Sequence, residues 1–172
     1  MALKLEGKKA IVADVSKVAA DALSVVTADY RGLSVAEMTD LRARARASGV
    51  YLRVVRNTLA RLAVQDTDFA CLQESLVGPL CLAFSLSEPG AAARLIRDFA
   101  KEHDNLEVKV LAISGQLLGP EHLKAISELP TREGAIAVLM AVMLAPITKF
   151  VRTAAEPYAK LTRTFAALGQ QK

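Results

Sequence analysis

The final forty-two residues constrain this chain more than any other stretch. From Thr131 onward, Ile136, Met140, Met143, Ile147, Phe150, Ala154, Tyr158, Leu161, Phe165 and Leu168 follow one another at steps of 4, 3, 4, 3, 4, 4, 3, 4 and 3 residues. That spacing places all of them on one stripe of a helix about nine turns long. Within the stripe lies an eleven-residue repeat: the segment from Lys149 to Glu156 matches the segment from Lys160 to Ala167, and Pro146 and Pro157 fall at one offset. Counting back a further eleven puts Leu139 under Phe150, with Leu161 above and Val151 beside it, so a weaker first copy begins near Val138. Eleven residues make almost three full turns, so each copy shows the same face.

A helix of about forty residues extends roughly 60 Å, longer than the domain preceding it, so its stripe cannot all pack on its own core. Repeated equivalent faces imply repeated equivalent partners, seated helix-in-groove. A hairpin folding back is disfavoured, since only Pro146 and Pro157, with no Gly loop, are there to turn the chain. A membrane-surface helix would use Lys149, Arg152, Lys160 and Arg163 opposite the stripe, but a regular repeat has no purpose on a featureless bilayer. The longest uncharged run, Gly134 to Thr148, is shorter than the ~20 residues a spanning helix requires, and no membrane partner is expected.

Charge divides at Pro130. Residues 1–130 carry 16 Lys+Arg against 16 Asp+Glu, and residues 131–172 carry 6 against 2, which accounts for the whole net charge of +4. The tail is the net-basic part and fits an acidic partner. Hydrophobic residues make up 52% of the chain, enough for a packed core in the region 1–130. Cys71 and Cys81 are too far apart for a Cys-x-x-Cys site and read as reduced, buried thiols. The charged start from Met1 to Lys9 has no apolar segment with a cleavage site, so a cytoplasmic address is expected.

Along the region 1–130, apolar steps of three and four predict a helix over roughly 4–21, and Leu23 to Thr27 predicts a buried strand. Ser34-Val35-Ala36-Glu37 has the capping-box pattern for a helix to about Ser48, stopped by Gly49. Val50 to Arg56 predicts a second strand, and Asn57 is the expected cap of a short helix through Gln65. A helical patch near 69–76, a strand at 80–85, a helix from Ser87-Glu88-Pro89, a strand at 106–113 and a short helix after Gly119-Pro120 complete the order. Strand, helix, strand occurs twice, which predicts an α+β fold: a two-layer ferredoxin-like sandwich with extra helices, followed by the long C-terminal helix.

Catalytic signatures are missing. No Gly-x-Gly-x-x-Gly, phosphate loop, Gly-x-Ser-x-Gly or metal-spaced His/Cys cluster occurs. His103 and His122 lie in charged helix ends and read as solvated surface residues; no metal or cofactor is expected.

Seven arginines, at 31, 42, 44, 46, 53, 56 and 61, face only Glu37 and Asp40 between residues 31 and 61. Arg42 and Arg46 share a helical face at i,i+4, Arg31-Gly32 forms the turn before that helix, and Arg56-Asn57-Thr58 combines a guanidinium, an amide and a helix N-terminus. Guanidinium forks and helix-end N–H groups suit phosphate oxygens, so this surface is a candidate RNA contact, with Arg53 and with Lys8 and Lys9 of the first helix added to the set. A solvated, solubility-giving helix face accounts for the arginines equally well. With 5% aromatics and none interleaved among the basic residues, readout of RNA shape is expected in preference to single-strand stacking.

Asp29-Tyr30-Arg31-Gly32-Leu33-Ser34, Leu41-Arg42, Val54-Val55-Arg56-Asn57-Thr58-Leu59, Leu76-Val77-Gly78-Pro79 and Leu129-Pro130-Thr131-Arg132-Glu133, followed by Ala145-Pro146-Ile147-Thr148, resemble in order and spacing the family of ribosomal protein ten of the bacterial large subunit. The resemblance covers essentially the whole chain. It implies scaffolding without catalysis: a domain 1–130 on the large ribosomal RNA at the stalk base beside protein eleven, and a helix 131–172 carrying dimers of the acidic seven/twelve stalk protein that recruit translational GTPases. Arg31, Gly32, Arg42, Arg46, Arg56, Asn57 and Thr58 match the family's basic surface, with Arg56 where many relatives have Lys. Ile136 to Leu168 matches the stalk-binding helix. Three copies predict three dimers, with two as the alternative because the tail of some relatives is about one repeat shorter. Members complexed with the stalk protein can also repress their own messenger RNA.

Overall fold

The computed structural model describes residues 5–103 and 105–170. Its contacts divide the chain into two units, residues 1–131 and 132–172.

In the first unit the helix α1 (Leu5–Asp21) leads to strand β1 (Ser24–Asp29), α2 (Val35–Ala47), β2 (Val50–Val54), α3 (Asn57–Val64), β3 (Leu80–Ser85), α4 (Ala91–Glu102), β4 (Glu107–Ile113), β5 (Gln116–Leu118) and α5 (Leu123–Ser127). The sheet order is β2-β3-β1-β4-β5, with every neighbouring pair antiparallel. Each strand–helix–strand crossover therefore skips one strand: β1-α2-β2 straddles β3, and β3-α4-β4 straddles β1. This is the ferredoxin-like order expected from the sequence, on an α+β domain.

Strand alternation sorts the core. Val26, Ala28, Cys81, Ala83 and Leu111 point to the side where Leu41 and Ala45 of α2 and Ala92, Ala93, Ile96 and Phe99 of α4 pack. Val25, Leu80, Leu82, Phe84 and Ala112 point to the other side, against Val15 and Ala19 of α1, Ala60, Ala63 and Val64 of α3, and Phe69, Leu72 and Leu76. The extra helices thus take the sheet's second face and add a layer to the two expected. A bulge in the β1–β4 pairing passes from Thr27↔Val110 to Ala28↔Val108, leaving Lys109 as the additional residue. Side-chain parity shifts across it, so Val108 and Leu111 share a face. The hydroxyl of Thr27, buried there, accepts from the Val110 N–H at 3.2 Å and donates to the Val110 carbonyl at 2.9 Å, so the hydroxyl is satisfied at the bulge.

Local signals worked where they were complete. The Ser34 hydroxyl accepts from the Glu37 N–H, and the Glu37 carboxylate accepts from the Ser34 N–H at 2.6 Å, closing the capping box. Helix α2 then ends through Ser48 and Gly49, whose φ of +66° is the left-handed stop that glycine adopts without strain. The Ser34 backbone bond, with the Ser34 hydroxyl adding to it, holds the Glu37 carboxyl below the usual carboxylate range. A depressed carboxyl stabilises the fold above its unfolded pKa, and that contribution fades as pH falls through the folded one. Ser34→Ala is expected to cost about 1 kcal/mol in chemical denaturation at neutral pH, and Glu37→Gln to flatten the acid side of the stability profile.

Several elements differ from expectation. The patch near 69–76 is a single 3₁₀ turn at Ala70–Leu72, and α4 starts at Ala91, after Gly90, two residues beyond Pro89. Strand β5 is additional to the expected elements, although Ser114-Gly115, both at positive φ, makes the two-residue hairpin turn that joins it to β4. Asn57 is no cap: Arg56 holds the cap position without a side-chain bond, and the Asn57 amide donates to the Gly78 carbonyl at 2.8 Å. His103 is not a solvated residue either. Its ring lies on Phe99 with centroids 4.4 Å apart and its Nδ1 is 3.5 Å from Glu37 Oε1. Cys81 is buried, donates to the Ala28 carbonyl, and has its thiol pushed up to about 11 by desolvation, while Cys71 is half-buried.

The second unit is α6 (Arg132–Gln170), 39 residues without a break through Pro146 and Pro157. The repeat shows in its local bonding: Thr153 Oγ1 donates to the Lys149 carbonyl and, eleven residues on, Thr164 Oγ1 donates to the Lys160 carbonyl.

Candidate functional site

The arginines of residues 31–61 fall into two groups once their partners are known. Arg44 reaches Asp40 and Glu102, both at 2.9 Å, and its guanidinium lies 5.5 Å from the centre of the Phe99 ring. The Glu102 hydrogen bond leads the causes that raise its pKa. Arg53 donates to the Tyr51 hydroxyl at 2.8 Å and lies 3.6 Å from Asp14 of α1. Arg61 donates to the Leu76 carbonyl. These three are committed to the fold. Arg31 is intermediate: exposed, yet with its Nε 3.8 Å from Asp29. Arg42 and Arg56, both exposed, have no side-chain hydrogen bond or ion pair among the described residues, and Arg46 spends only its Nε, on the Arg42 carbonyl.

The uncommitted group shares one edge of the domain. Strand β2 is the end strand of the sheet. Arg42 and Arg46 flank a recess along it with Val50, Tyr51 and Leu52. A second recess joins Arg42 to Tyr30, Leu33, Met38 and Val54. A third joins Tyr30 and Val54 to Arg56, Asn57, Thr58 and Gly78. No carboxylate lines any of the three. The N-terminus of α3 has no side-chain cap, so its first-turn N–H groups add positive potential beside Arg56. Gly32 closes the turn before α2 at φ +83°, and a Cβ there would come within 3.2 Å of Asn105, whose amide donates to the Gly32 carbonyl. Gly32 thus shapes the loop without offering a side chain.

Two other candidates sit elsewhere. Lys8 and Lys9 are in the first turns of α1, which covers the sheet face opposite α2, and neither lines these recesses. The cleft between α2 and α4, lined by Arg44, Arg94, Glu88 and Asp98, holds charges already spent on pairs such as Arg94–Glu88 at 3.0 Å.

On α6 the stripe is bare. Ile136, Leu139, Met140, Met143, Ile147, Phe150, Val151, Ala154, Tyr158, Leu161, Phe165 and Leu168 are all exposed, Phe150 and Tyr158 to 76% and 75%. A patch of this size is far beyond what a lone soluble protein leaves uncovered. Taken as a window rather than an uninterrupted run, 18 residues of α6 reach a mean hydropathy of 2.0, so by length and composition this helix is apolar enough to cross a membrane. Among the described residues no group of three or more His, Cys, Asp or Glu is placed to hold a metal.

An α+β domain with an unpaired cationic edge, joined to a long helix with a bare repeating stripe, defines a binding protein that works by what it holds. Known proteins narrow this. Residues 3–101 match the family described as Ribosomal protein L10, and residues 129–155 match the Ribosomal protein uL10 C-terminal region. Over all 172 residues the chain is 63% identical to the large ribosomal subunit protein uL10 of Thioalkalivibrio sulfidiphilus and 60% to that of Alcanivorax borkumensis, covering 98% of each. It is 59% identical to that of Francisella philomiragia, covering 100%. The chain belongs to the bacterial uL10 family. It is a non-enzymatic structural protein of the large ribosomal subunit, located in the cytoplasm on the ribosome.

Proposed function

We propose that residues 1–130 bind large ribosomal RNA through the β2 edge, and that residues 131–172 anchor dimers of the acidic stalk protein. The observation that carries the second part is the stripe itself: one face, repeated every eleven residues along an unbroken helix and exposed throughout. Helix-in-groove partners bury such a face at i, i+3, i+4 and i+7 anchors. The four cations Lys149, Arg152, Lys160 and Arg163 recur with the repeat and complement an acidic partner. The RNA part rests on Arg42 and Arg56, whose side chains have no hydrogen bond or ion pair among the described residues, and on Arg46, which spends only its Nε on the Arg42 carbonyl; no carboxylate lines the recesses they share. A place beside protein eleven, and repression of the protein's own messenger in complex with the stalk protein, accompany this reading through the family resemblance.

The test is co-expression with the stalk protein. The chain alone is expected to self-associate through the bare stripe, and co-expression to give a soluble complex whose native mass corresponds to three stalk dimers per chain. A chain that stays monomeric at high concentration and takes up no stalk protein defeats the proposal. The hydropathy of α6 supports a rival, a bilayer-bound helix, and vesicle flotation separates the two. Flotation of the free chain that persists once stalk protein is present favours lipid; no flotation of the complex favours the anchor.

A further inference from the structure

Tyr30 stands just beyond β1, one residue before Arg31, and lines two of the three recesses at once. One, of about 320 Å³, contains Arg42, and the other, of about 580 Å³, contains Arg56, Asn57 and Thr58. Val54 is the only other residue common to both. The Tyr30 ring is half-buried against the α2 side of the core, so its position is held by packing. Its hydroxyl nevertheless has no hydrogen-bond partner among the described residues. Tyr51, the other tyrosine of this unit, is satisfied: it accepts from Arg53 and packs near Phe84. A half-buried aromatic side chain that lines both the recess holding Arg42 and the recess holding Arg56, with Val54 beside it in each, suits a flat aromatic group flanked by anions. An acidic side chain would be served by the arginines alone and would leave Tyr30 and Val54 unused.

We propose that Tyr30 is the platform for one unpaired base of the bound RNA, with the phosphates on either side of that nucleotide held by Arg42 and by Arg56 with the α3 N-terminus. This rests on the RNA-binding reading above and adds a stacking contact to what the sequence suggests is shape readout alone. Every base has a π-face, so the contact tolerates base identity but requires a nucleotide that is free to leave its helix.

The probe is the stalk-base fragment of large-subunit ribosomal RNA, intact and with single abasic sites at each unpaired position, titrated with the full-length chain. Tyr30→Phe is expected to bind as the wild type does, because phenylalanine also stacks. Tyr30→Leu keeps an apolar contact with the core and is expected to lose about 10- to 100-fold in affinity. One abasic fragment should cost the wild type a similar factor and cost Tyr30→Leu nothing further. The chain has no tryptophan, so Tyr30→Trp supplies a single emitter whose fluorescence the intact fragment should quench and that abasic fragment should not. Tyr30→Leu binding as tightly as wild type, or equal losses on every abasic fragment with the tryptophan unquenched, overturns the stacking contact. Failure of the wild type to bind the intact fragment is a separate result: it defeats the RNA reading itself.

Discussion

Replacing Arg42, Arg46 and Arg56 together with alanine is expected to lower affinity for the stalk-base RNA by about 100-fold at near-physiological salt, and to reduce the dependence of binding on salt by roughly three phosphate contacts. Charge-assisted bonds to phosphate are stronger than neutral ones, but these side chains are exposed, and solvent screening takes back much of what three of them would give in isolation. The loss should be similar across RNA sequence variants, because phosphate contacts position without reading bases. Arg44→Ala and Arg53→Ala are the controls. Each removes one positive charge from the same segment, yet both guanidinium groups are already held by protein partners, Glu102 and Asp40 for one and Tyr51 and Asp14 for the other. They should cost little RNA affinity. Equal losses from the controls and the triple variant would mean that net charge alone binds RNA. An unchanged triple variant would leave the arginines as a solvated helix face.

Sequence could not sort these arginines because a guanidinium's partner lies far along the chain. Arg44 meets Glu102 and Arg53 meets Asp14 only after α4 and α1 have packed on opposite faces of the sheet. Asn57 failed as a cap for the same reason, since the Gly78 carbonyl, twenty-one residues on, took its amide. Tyr30 reads as an ordinary turn residue until the β2–α3 loop and α2 are brought around it. The capping box and the Gly49 stop were legible because all their groups fall within a few residues. The double strand–helix–strand order was legible because the hydrophobic period changes sharply from element to element. It carried no account of the bulge at Thr27 or of the second helical layer, both of which depend on pairing between distant strands. In the tail, periodicity was the whole signal. A helix whose stripe is exposed from Ile136 to Leu168 has little burial to override the pattern.

Truncation before Pro157 and then before Pro146 is expected to reduce the stalk dimers bound per chain from three to two to one, read by native mass after each cut. Leu139, Phe150 and Leu161 are eleven residues apart and so lie at equivalent places on one face, and each cut removes one such place with its surroundings. Two dimers on the intact chain would mean that the first copy, which lacks the Lys-x-x-Arg of the other two, is not a site. Point changes test independence. Phe150→Asp or Leu161→Asp would bury an unpaired carboxylate under the partner, a cost of several kcal/mol, enough to empty its own copy at micromolar concentrations. The neighbouring copies should stay filled. Lys149→Ala with Arg152→Ala should act differently, slowing association and weakening its dependence on salt while leaving the final count unchanged, because exposed charges steer encounter more than they hold the complex. Loss of every dimer at the first cut, or full occupancy despite an Asp at position 150 or 161, would sink the idea of independent repeats. The 39-residue helix would then have to act as one cooperative surface, and the eleven-residue spacing would report the geometry of the helix rather than the number of partners.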